Sequence, residues 1–362
     1  MVDETNRQPP DGDRGETASL RQALGEVRRE AQQEVARINR QLRERSAAEG
    51  GAASVVSVPT RLDRLRNGGS VLGVGIAVLD LVNEVEVYPA EDDEVRALAM
   101  RRVRGGNVTN SLAVLSQLGH PCRWAGTLGE DPAADLILAD LARHGIETRD
   151  AVRVPGGTTP TSSILLSRAN GSRTIVHFRD LPELSADDFG RVSLDGLARV
   201  HFEGRNPQET ARMIRRVREE APDVPISVEL EKRRPGIEEL LHGPQLLLAS
   251  RAFARAGGFE DPGDFLDDLL VRSDARLCVV AWGAEGAAFL ESGGHVQRVP
   301  AYVPTKVVDT LGAGDVFNAG VIHGLMQRLS AAEAVTQAVT LAGLKCGHPG
   351  IVVERESSPL SD

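Results

Sequence analysis

The sequence predicts an α/β protein with a mainly parallel central sheet, helices on both faces of that sheet, and a small additional sheet. Short apolar runs alternate with amphipathic helical segments from Val71 onward, which is the pattern of a parallel sheet covered on both sides. Two pairs of β-like segments interrupt this alternation. The chain has 362 residues, of which 41% are apolar, enough for one large α/β unit or two smaller domains.

The predicted elements of the central unit follow one another along the chain. Strands are expected at residues 71–80, 122–128, 200–203, 226–230, 245–249 and 277–282. Helices are expected at residues 107–118, 132–144, 207–220, 262–272, 315–328 and 331–346. Asp131 and Pro132 mark the start of the second helix, because Asp is favoured as N-cap and Pro at the first helical position.

The small sheet is predicted from residues 83–104 and 161–180. Asn170-Gly171 separates two β-like runs, and Asn-Gly between strands is a strong signal for a hairpin. Residues 83–88 and 97–103 form a second pair of runs. We expect four antiparallel strands that lie over one edge of the central sheet as a lid, which would exclude water from a reaction site.

Composition excludes several classes of protein. No apolar run reaches 18 residues, and the first residues contain no apolar signal segment, so neither a membrane span nor a secretory signal is expected. The formal net charge of −10 disfavours binding to nucleic acid or to an anionic membrane. Cys122, Cys278 and Cys346 form no Cys-x-x-Cys pair, which predicts reduced thiols and a cytoplasmic location.

The two ends of the chain differ from its centre. Residues 1–18 are polar and are predicted to be disordered. Residues 18–48 carry apolar positions at helical spacing, which fits either a coiled-coil docking arm or a solvated helical extension. We therefore divide the chain into an N-terminal extension of residues 1–68, one domain of residues 69–354 and a tail of residues 355–362.

The segment Asp-Thr-Leu-Gly-Ala-Gly-Asp at residues 309–315 carries the clearest chemical signal. Its small residues Gly312, Ala313 and Gly314 lead directly into a predicted helix, whose first amides attract an anion. Asp315 would repel a phosphate but could take a proton from a hydroxyl that attacks the phosphate. A tight glycine turn with a capping aspartate is the alternative, and a short glycine motif does not decide between them.

This segment resembles the C-terminal signature of the ribokinase-like (pfkB) carbohydrate kinases. Arg-Gly-Gly-Asn-Val-Thr-Asn at residues 104–110 resembles the Gly-Gly element of that family, and the similarity extends over residues 71–352. Further segments resemble the ketohexokinases, which make fructose 1-phosphate; they are residues 105–111, 171–175, 181–189, 203–206, 227–232 and 345–347. The resemblance implies a ribokinase-like fold, ATP and Mg²⁺ as cofactors, and a homodimer formed through the lid.

The resemblance also implies a sugar site formed by Asp80, Gly106, Asn107, Asn110 and Asp315. Asp80 ends a predicted strand, where ligands of α/β sheets bind, and an ionised carboxylate can accept two hydroxyl groups. Asn107 and Asn110 share one face of a helix start. Asp80 could instead cap a turn, and Asn107 could be an N-cap. The pair of glycines before Asn107 would serve as the hinge of the lid.

For ATP, the resemblance implies Arg173, the turn Gly283-Ala284-Glu285-Gly286 and the anion hole Gly312–Gly314. Arg173 follows the hairpin turn and would bring a planar guanidinium to the phosphates, while glycines permit close approach of the nucleotide to backbone. Cys346 is expected in the core or beside the adenine. Many family members carry an Asn-x-x-Glu element where this chain has Ser-Arg-Ala-Phe at residues 250–253, so no metal ligand is assigned, although phosphoryl transfer requires a divalent ion.

We therefore expect an ATP-dependent sugar kinase that phosphorylates a primary hydroxyl, the 1-hydroxyl of D-fructose, with Asp315 as general base. One alternative is a kinase of the same family for a keto-deoxy sugar acid or a nucleoside. An acidic substrate would require a free arginine in the sugar pocket. Another alternative is a non-catalytic sensor of sugar or nucleotide. We expect a homodimer because unpaired strand edges of a lid favour pairing with a second copy.

Overall fold

The computed structural model describes residues 69–169 and 171–351. The predicted N-terminal extension, Asn170 of the predicted hairpin turn and the C-terminal tail lie outside the described residues, so those predictions stay untested. No helix within the described part is long and apolar enough to cross a membrane.

The described residues form strands and helices in alternation. The strands are β1 (Ser70–Val74), β2 (Val78–Val85), β3 (Ala99–Gly105), β4 (Cys122–Ala125), β5 (Thr127–Gly129), β6 (Ile146–Glu147), β7 (Val152–Val154), β8 (Thr161–Ser167), β9 (Arg173–Phe178), β10 (Leu197–Glu203), β11 (Ile226–Leu230), β12 (Leu246–Ser250), β13 (Leu277–Ala281), β14 (Ala287–Glu291) and β15 (Gln297–Val299). The helices are α1 (Asn107–Gln117), α2 (Pro132–Arg143), α3 (Ala186–Phe189), α4 (Pro207–Glu220), α5 (Arg251–Ala256), α6 (Pro262–Val271), α7 (Ala313–Met326) and α8 (Ala331–Cys346).

Nine strands form the central sheet in the order β15-β14-β13-β12-β11-β10-β1-β4-β6. All neighbours from β13 to β6 are parallel, and β14 and β15 are antiparallel additions at one edge that the sequence pattern did not predict. One apolar cluster packs α3 to α6 against one face, and a second cluster packs α1, α2, α7 and α8 against the other. The prediction of a mainly parallel sheet covered on both faces is confirmed.

The first predicted strand is in fact two strands. β1 ends at Val74, and after a break the chain enters β2 of a different sheet. The break has a physical cause in Gly75, where an added Cβ atom would lie 2.5 Å from Glu203 Oε2. The amide of Ile76 donates to that same oxygen at 3.0 Å, so the chain turns around a buried carboxyl group. Asp80 is therefore the third residue of β2, and its predicted place at the end of the first strand is wrong.

The lid sheet has four strands in the order β3-β2-β8-β9. The two predicted pairs are present and antiparallel, but the central pair, β2 and β8, is parallel. The prediction of four antiparallel strands is thus wrong, because β2 and β8, the strands that join the two pairs, run in the same direction. The lid sheet also begins earlier than predicted, at Val78 instead of residue 83.

A pair of buried histidines links the turn that follows α1 to α7. His120 Nε2 lies 2.7 Å from His323 Nδ1, and such a bond needs one N–H donor and one bare nitrogen acceptor. Burial lowers the pKa of His120 to about 4 and that of His323 to about 3. Both imidazoles are therefore neutral at pH 7. The pair stabilises the contact between the two helices that carry Asn110 and Asp315.

Acidification should lower the free energy of unfolding of the wild type more than that of a double variant with His120→Gln and His323→Gln. Unfolded histidine binds a proton below about pH 6.5, whereas the folded pair resists protonation down to about pH 4. The contribution of each histidine to stability is thus present above pH 6.5 and is lost as the pH falls, by up to about 1.4 kcal/mol per pH unit. Urea unfolding of both proteins at pH 7 and pH 5 measures this difference, and parallel pH dependences would contradict it.

Candidate active site

The candidate active site lies at the N-terminus of α7. Gly312 is the N-cap with φ of 80°, and none of the described side chains caps the first turn. An added Cβ atom on Gly314 would meet no atom within 4 Å, so open space lies beside this turn. Free N–H groups and the positive end of the helix dipole attract an anion at such a place. The amide of Ala313 donates to the Thr310 carbonyl oxygen at 3.3 Å, so an anion would compete with that oxygen for the Ala313 N–H. The anion hole of Gly312, Ala313 and Gly314 stays a prediction.

Asp315 is the third residue of α7, and its side chain is buried. Its Oδ2 accepts a hydrogen bond from Asn110 Nδ2 at 2.7 Å, and its carbonyl oxygen accepts one from Ser111 Oγ at 3.0 Å. Burial raises the pKa of Asp315 to about 8, with the Asn110 hydrogen bond opposing the change. A carboxylate with a pKa near neutral pH is suited to receive a proton from a reacting hydroxyl.

Arg104 fixes the other side of this arrangement. Its Nη1 donates to Asn110 Oδ1 at 2.7 Å, while its Nε donates to Asp140 Oδ2 of α2 at 2.6 Å. Both polar groups of the Asn110 amide are thereby engaged, one by Arg104 and one by Asp315. In the structure the Asn110 amide holds the Asp315 carboxyl group, and the predicted contact of Asn110 with the sugar stays a prediction.

Asp80 lies in β2 beside Ser162 and Arg104. Burial raises the pKa of its carboxyl group, whereas the Ser162 hydrogen bond and the Arg104 charge lower it. An added Cβ atom on Gly105 would overlap the Asp80 carboxylate. Gly106, the N-cap of α1, has φ of 105°, a conformation that favours glycine. The two glycines therefore let the lid sheet and α1 meet closely around Asp80.

Asn107 is the first residue of α1, so the alternative in which it acts as N-cap is wrong. Its Nδ2 donates to Glu229 Oε1 at 3.2 Å, and Asn318 Nδ2 of α7 donates to the same oxygen at 3.0 Å. Burial raises the pKa of Glu229 well above its ordinary value and that of neighbouring Glu203 to about 7. The floor of the site thus contains carboxyl groups that resist ionisation.

The lid sheet reaches the loop that precedes the predicted anion hole. Arg173, the first residue of β9, donates from Nη1 to Thr310 Oγ1 at 2.9 Å. The buried Lys345 donates from Nζ to the carbonyl oxygen of Asp309 at 2.6 Å. The amides of Val308 and Asp309 donate to the carbonyl oxygen of Cys346, so that residue contacts the loop through its backbone, and its thiol is half-buried. These contacts fix the loop against the end of α8.

The predicted nucleotide turn follows β13 at the same edge of the central sheet. Gly283–Glu285 form one 3₁₀ turn, and the amide of Trp282 donates to the Gly286 carbonyl oxygen at 2.7 Å. Arg251 Nη1 lies 3.8 Å from Glu285 Oε1. The turn contacts the start of α5 through this pair, and at Gly286 it lies against the backbone that ends β15, where an added Cβ atom would overlap the Val299 carbonyl oxygen. Ser250 caps α5 through its side chain, which accepts from the Phe253 amide at 3.0 Å.

The sequence interpretation missed three residues of the site. They are Arg104, Glu203 and Glu229, which lie within the segments that resemble the family but for which no role was predicted. Glu203 is the last residue of β10, and Glu229 is the last but one of β11. A charged residue near the carboxyl end of an otherwise buried strand was the available signal, since ligands of parallel sheets bind beyond these ends.

The chain is similar to several known sugar kinases. Ketohexokinase from Mus musculus is 39% identical over 289 residues, which cover 77% of this chain and 97% of that protein. 2-Dehydro-3-deoxygluconokinase from Bacillus subtilis (strain 168) is 23% identical over 265 residues, which cover 68% of this chain and 81% of that protein. The structure of Arabidopsis thaliana ribokinase complexed with ribose and ATP superposes with a TM-score of 0.66 at 22% identity, covering 78% of this chain and 94% of that one.

These likenesses confirm the ribokinase-like fold, and residues 70–356 match the description "pfkB family carbohydrate kinase". The chain therefore belongs to the pfkB family of carbohydrate kinases and is a sugar kinase.

Proposed function

We propose that this sugar kinase transfers the γ-phosphoryl group of ATP to the 1-hydroxyl of D-fructose. The observation that carries the proposal is the position of Asp315, which is held by Asn110 at the N-terminus of α7 beside the open space at Gly314. The 39% identity to mouse ketohexokinase supports a ketohexose as acceptor. ATP is the proposed donor because the ribokinase of the same fold was solved with ATP.

In the proposed reaction, Asp315 takes the proton of the sugar hydroxyl as its oxygen bonds to the γ-phosphorus. The bond between the γ-phosphorus and the bridging oxygen breaks, and ADP leaves. The amides of Gly312–Gly314 and the guanidinium of Arg173 stabilise negative charge on the transferred group. The turn Gly283–Gly286, with Ala284 and Glu285, is proposed to receive the nucleotide. Asp80, Gly106, Asn107 and Asn110 are proposed to hold the sugar hydroxyls.

Magnesium is expected to reach the site with the nucleotide. Among residues 69–169 and 171–351, no three Asp, Glu, His or Cys side chains form a group that could hold a metal ion. The donor set thus does not fit a metal cage built from protein alone, and Mg²⁺ commonly relies on substrate phosphates and water with few carboxylates. We therefore propose Mg²⁺ as a companion of ATP and assign no protein ligand to it.

The charge balance of the pocket favours a neutral sugar over a sugar acid. Arg104 is the arginine beside Asp80, and it is already paired with Asp140 and Asn110. A carboxylate substrate would have to compete with Asp140 for this guanidinium and would lie near Asp80. A kinase for a keto-deoxy sugar acid or a nucleoside remains the second candidate within the family.

A panel of acceptors with ATP and Mg²⁺ tests the proposal. ADP formation is measured with D-fructose, other ketohexoses, ribose, adenosine and 2-dehydro-3-deoxygluconate, and ³¹P NMR locates the new phosphate. We expect the highest kcat/KM for a ketohexose and a product phosphorylated at carbon 1. Highest kcat/KM for the sugar acid or the nucleoside would overturn the assignment of substrate, and no turnover with any acceptor would favour a sensor.

We also propose a homodimer formed through the lid sheet. β3 and β9 are the edge strands of that sheet, and exposed edges favour pairing with a second copy. Their large apolar side chains are exposed, with Met100 55%, Val176 67% and Phe178 54% accessible. Burial against a partner would remove this apolar surface from water.

Replacing Val176 and Phe178 with glutamate should convert the dimer into a monomer. Two carboxylates in an apolar contact cannot be buried without a large desolvation cost. Light scattering on the full chain measures the mass, and Val271→Glu is the matched control because Val271 is 87% exposed on α6, outside the lid sheet. A monomeric wild type, or a dimer that persists in the double variant, would contradict a lid-mediated dimer.

A further inference from the structure

Glu229 lies beneath the proposed sugar site and accepts two hydrogen bonds on one of its carboxyl oxygens. In the parallel pairing of β10 and β11 it is the neighbour of Glu203. Its Oε1 accepts from Asn107 Nδ2 at 3.2 Å and from Asn318 Nδ2 at 3.0 Å. Its Oε2 is buried and has no hydrogen-bond partner among the described residues. Glu229 thus ties the first residue of α1 to α7.

The surroundings of Glu229 disfavour an ionised carboxylate. Burial is the main cause, and the nearby carboxyl groups of Asp315 on α7, Glu203 on β10 and Glu231 after β11 act in the same direction. The Asn107 amide opposes them, and the pKa of Glu229 still lies well above its ordinary value. These surroundings favour the neutral form of the Glu229 carboxyl group.

The contact with Glu229 decides which atom Asn107 offers to a ligand. Because Nδ2 donates to Glu229, the carbonyl oxygen Oδ1 of this half-buried amide is left to accept from other partners. We propose that Glu229 is a positioning residue that fixes the Asn107 amide so that its oxygen accepts a hydrogen bond from a sugar hydroxyl. This inference rests on the proposed role of Asn107 in sugar binding, and it deepens that role by requiring a hydroxyl that donates.

Two substitutions at Glu229 separate positioning from catalysis. Glu229→Gln keeps an oxygen that can accept from both amides and should leave kcat and the KM for sugar within about threefold of wild type. Glu229→Leu has a similar volume but no acceptor, and it should raise both KM and the Kd for sugar about tenfold, in line with one hydrogen bond. The KM for ATP should stay within about twofold in both variants, because the contact lies on the sugar side.

Ser227→Ala is the matched control for damage to the fold. Ser227 is buried on the same strand, two residues before Glu229, and its hydroxyl bonds His201 Nδ1 at 3.0 Å instead of a residue of the sugar site. This variant is expected to lower Tm without a change in the KM for sugar. If Glu229→Leu and Ser227→Ala change Tm alike and neither changes sugar affinity, Glu229 has a structural role and the inference fails.

A fluorinated sugar tests the direction of the hydrogen bond, since fluorine cannot donate. Each hydroxyl of the preferred sugar is replaced in turn, and Kd is measured by calorimetry. One analogue should bind the wild type about tenfold more weakly than the parent sugar does. On Glu229→Leu the same analogue should bind as well as the parent sugar, because both changes remove the same hydrogen bond and their effects are not additive. Equal losses on both proteins would overturn the inference.

A failure of the inference about Glu229 can be distinguished from a failure of the proposed function. The assays use whichever sugar the wild type prefers, so a substrate other than fructose leaves this test intact. A loss of kcat of a hundredfold or more in Glu229→Gln, with normal sugar affinity, would show that the charge of Glu229 takes part in the reaction, and it would overturn the positioning role.

Discussion

Replacing Asp315 with asparagine is expected to lower kcat by about 10²–10⁴-fold, the range typical of general-base catalysis. The new amide keeps the shape of the side chain but cannot receive a proton as a carboxylate does. Affinity for ATP should change little at pH 7, and it should become slightly tighter above pH 8, where the ionised carboxylate places a negative charge beside the phosphates. Steady-state kinetics and nucleotide binding measure the two effects separately.

Asp264→Asn is the matched control for this substitution. Asp264 is likewise the third residue of a helix, α6, but it is exposed on the surface. Its variant should retain wild-type kcat, and thermal melts should show that both proteins are folded. If folded Asp315→Asn keeps more than about a tenth of wild-type kcat, the loss of kcat is smaller than the smallest expected contribution of a general base. That result would exclude Asp315 as the base.

Asp80→Ala is expected to raise the KM for sugar much more than the KM for ATP. A hydrogen bond to a charged group contributes about 1.5–3 kcal/mol, so each lost bond should raise the KM for sugar by about 10- to 150-fold. The effect on ATP should be small because the proposed partners of Asp80 are hydroxyls remote from the phosphates. Kinetics with one substrate varied at a time measures this difference.

Glu84→Ala controls for changes in the lid sheet itself. Glu84 lies on the same strand, β2, and its carboxylate pairs with Arg168 at 2.8 Å in a partly exposed ion pair. Such a pair contributes little to stability, so its loss should leave both KM values near wild type. Equal rises in the KM for sugar and for ATP in Asp80→Ala would contradict its assignment to the sugar.

Helix positions were predicted closely from sequence because their signals are local. α4 and α8 have the predicted bounds, and α2 begins at Pro132 after the Asp131 cap. Strand breaks were not predicted, because their causes are distant in sequence. The break after Val74 depends on Glu203, which lies more than a hundred residues away along the chain. Apolar periodicity cannot reveal such a contact.

The same distinction applies to the candidate site. The helix start at Gly312–Asp315 follows from its glycine pattern, and the residues Asp80, Asn107 and Asn110 were chosen on the family resemblance. Sequence could not show that Arg104 and Asp315 use both groups of the Asn110 amide, or that Glu229 engages Asn107. These contacts join strands and helices from different parts of the chain, and the fold brings them together.

The pH dependence of kcat/KM for the preferred sugar tests the central role of Asp315 most directly. A base must be ionised to accept a proton, and burial raises the pKa of Asp315 to about 8. In the wild type, kcat/KM should therefore rise about tenfold per pH unit below pH 8 and level off above it. In Asp315→Asn this rise should be absent. A wild-type profile that is flat between pH 6 and pH 9, or a rise that persists unchanged in Asp315→Asn, would contradict the assignment of Asp315 as the base.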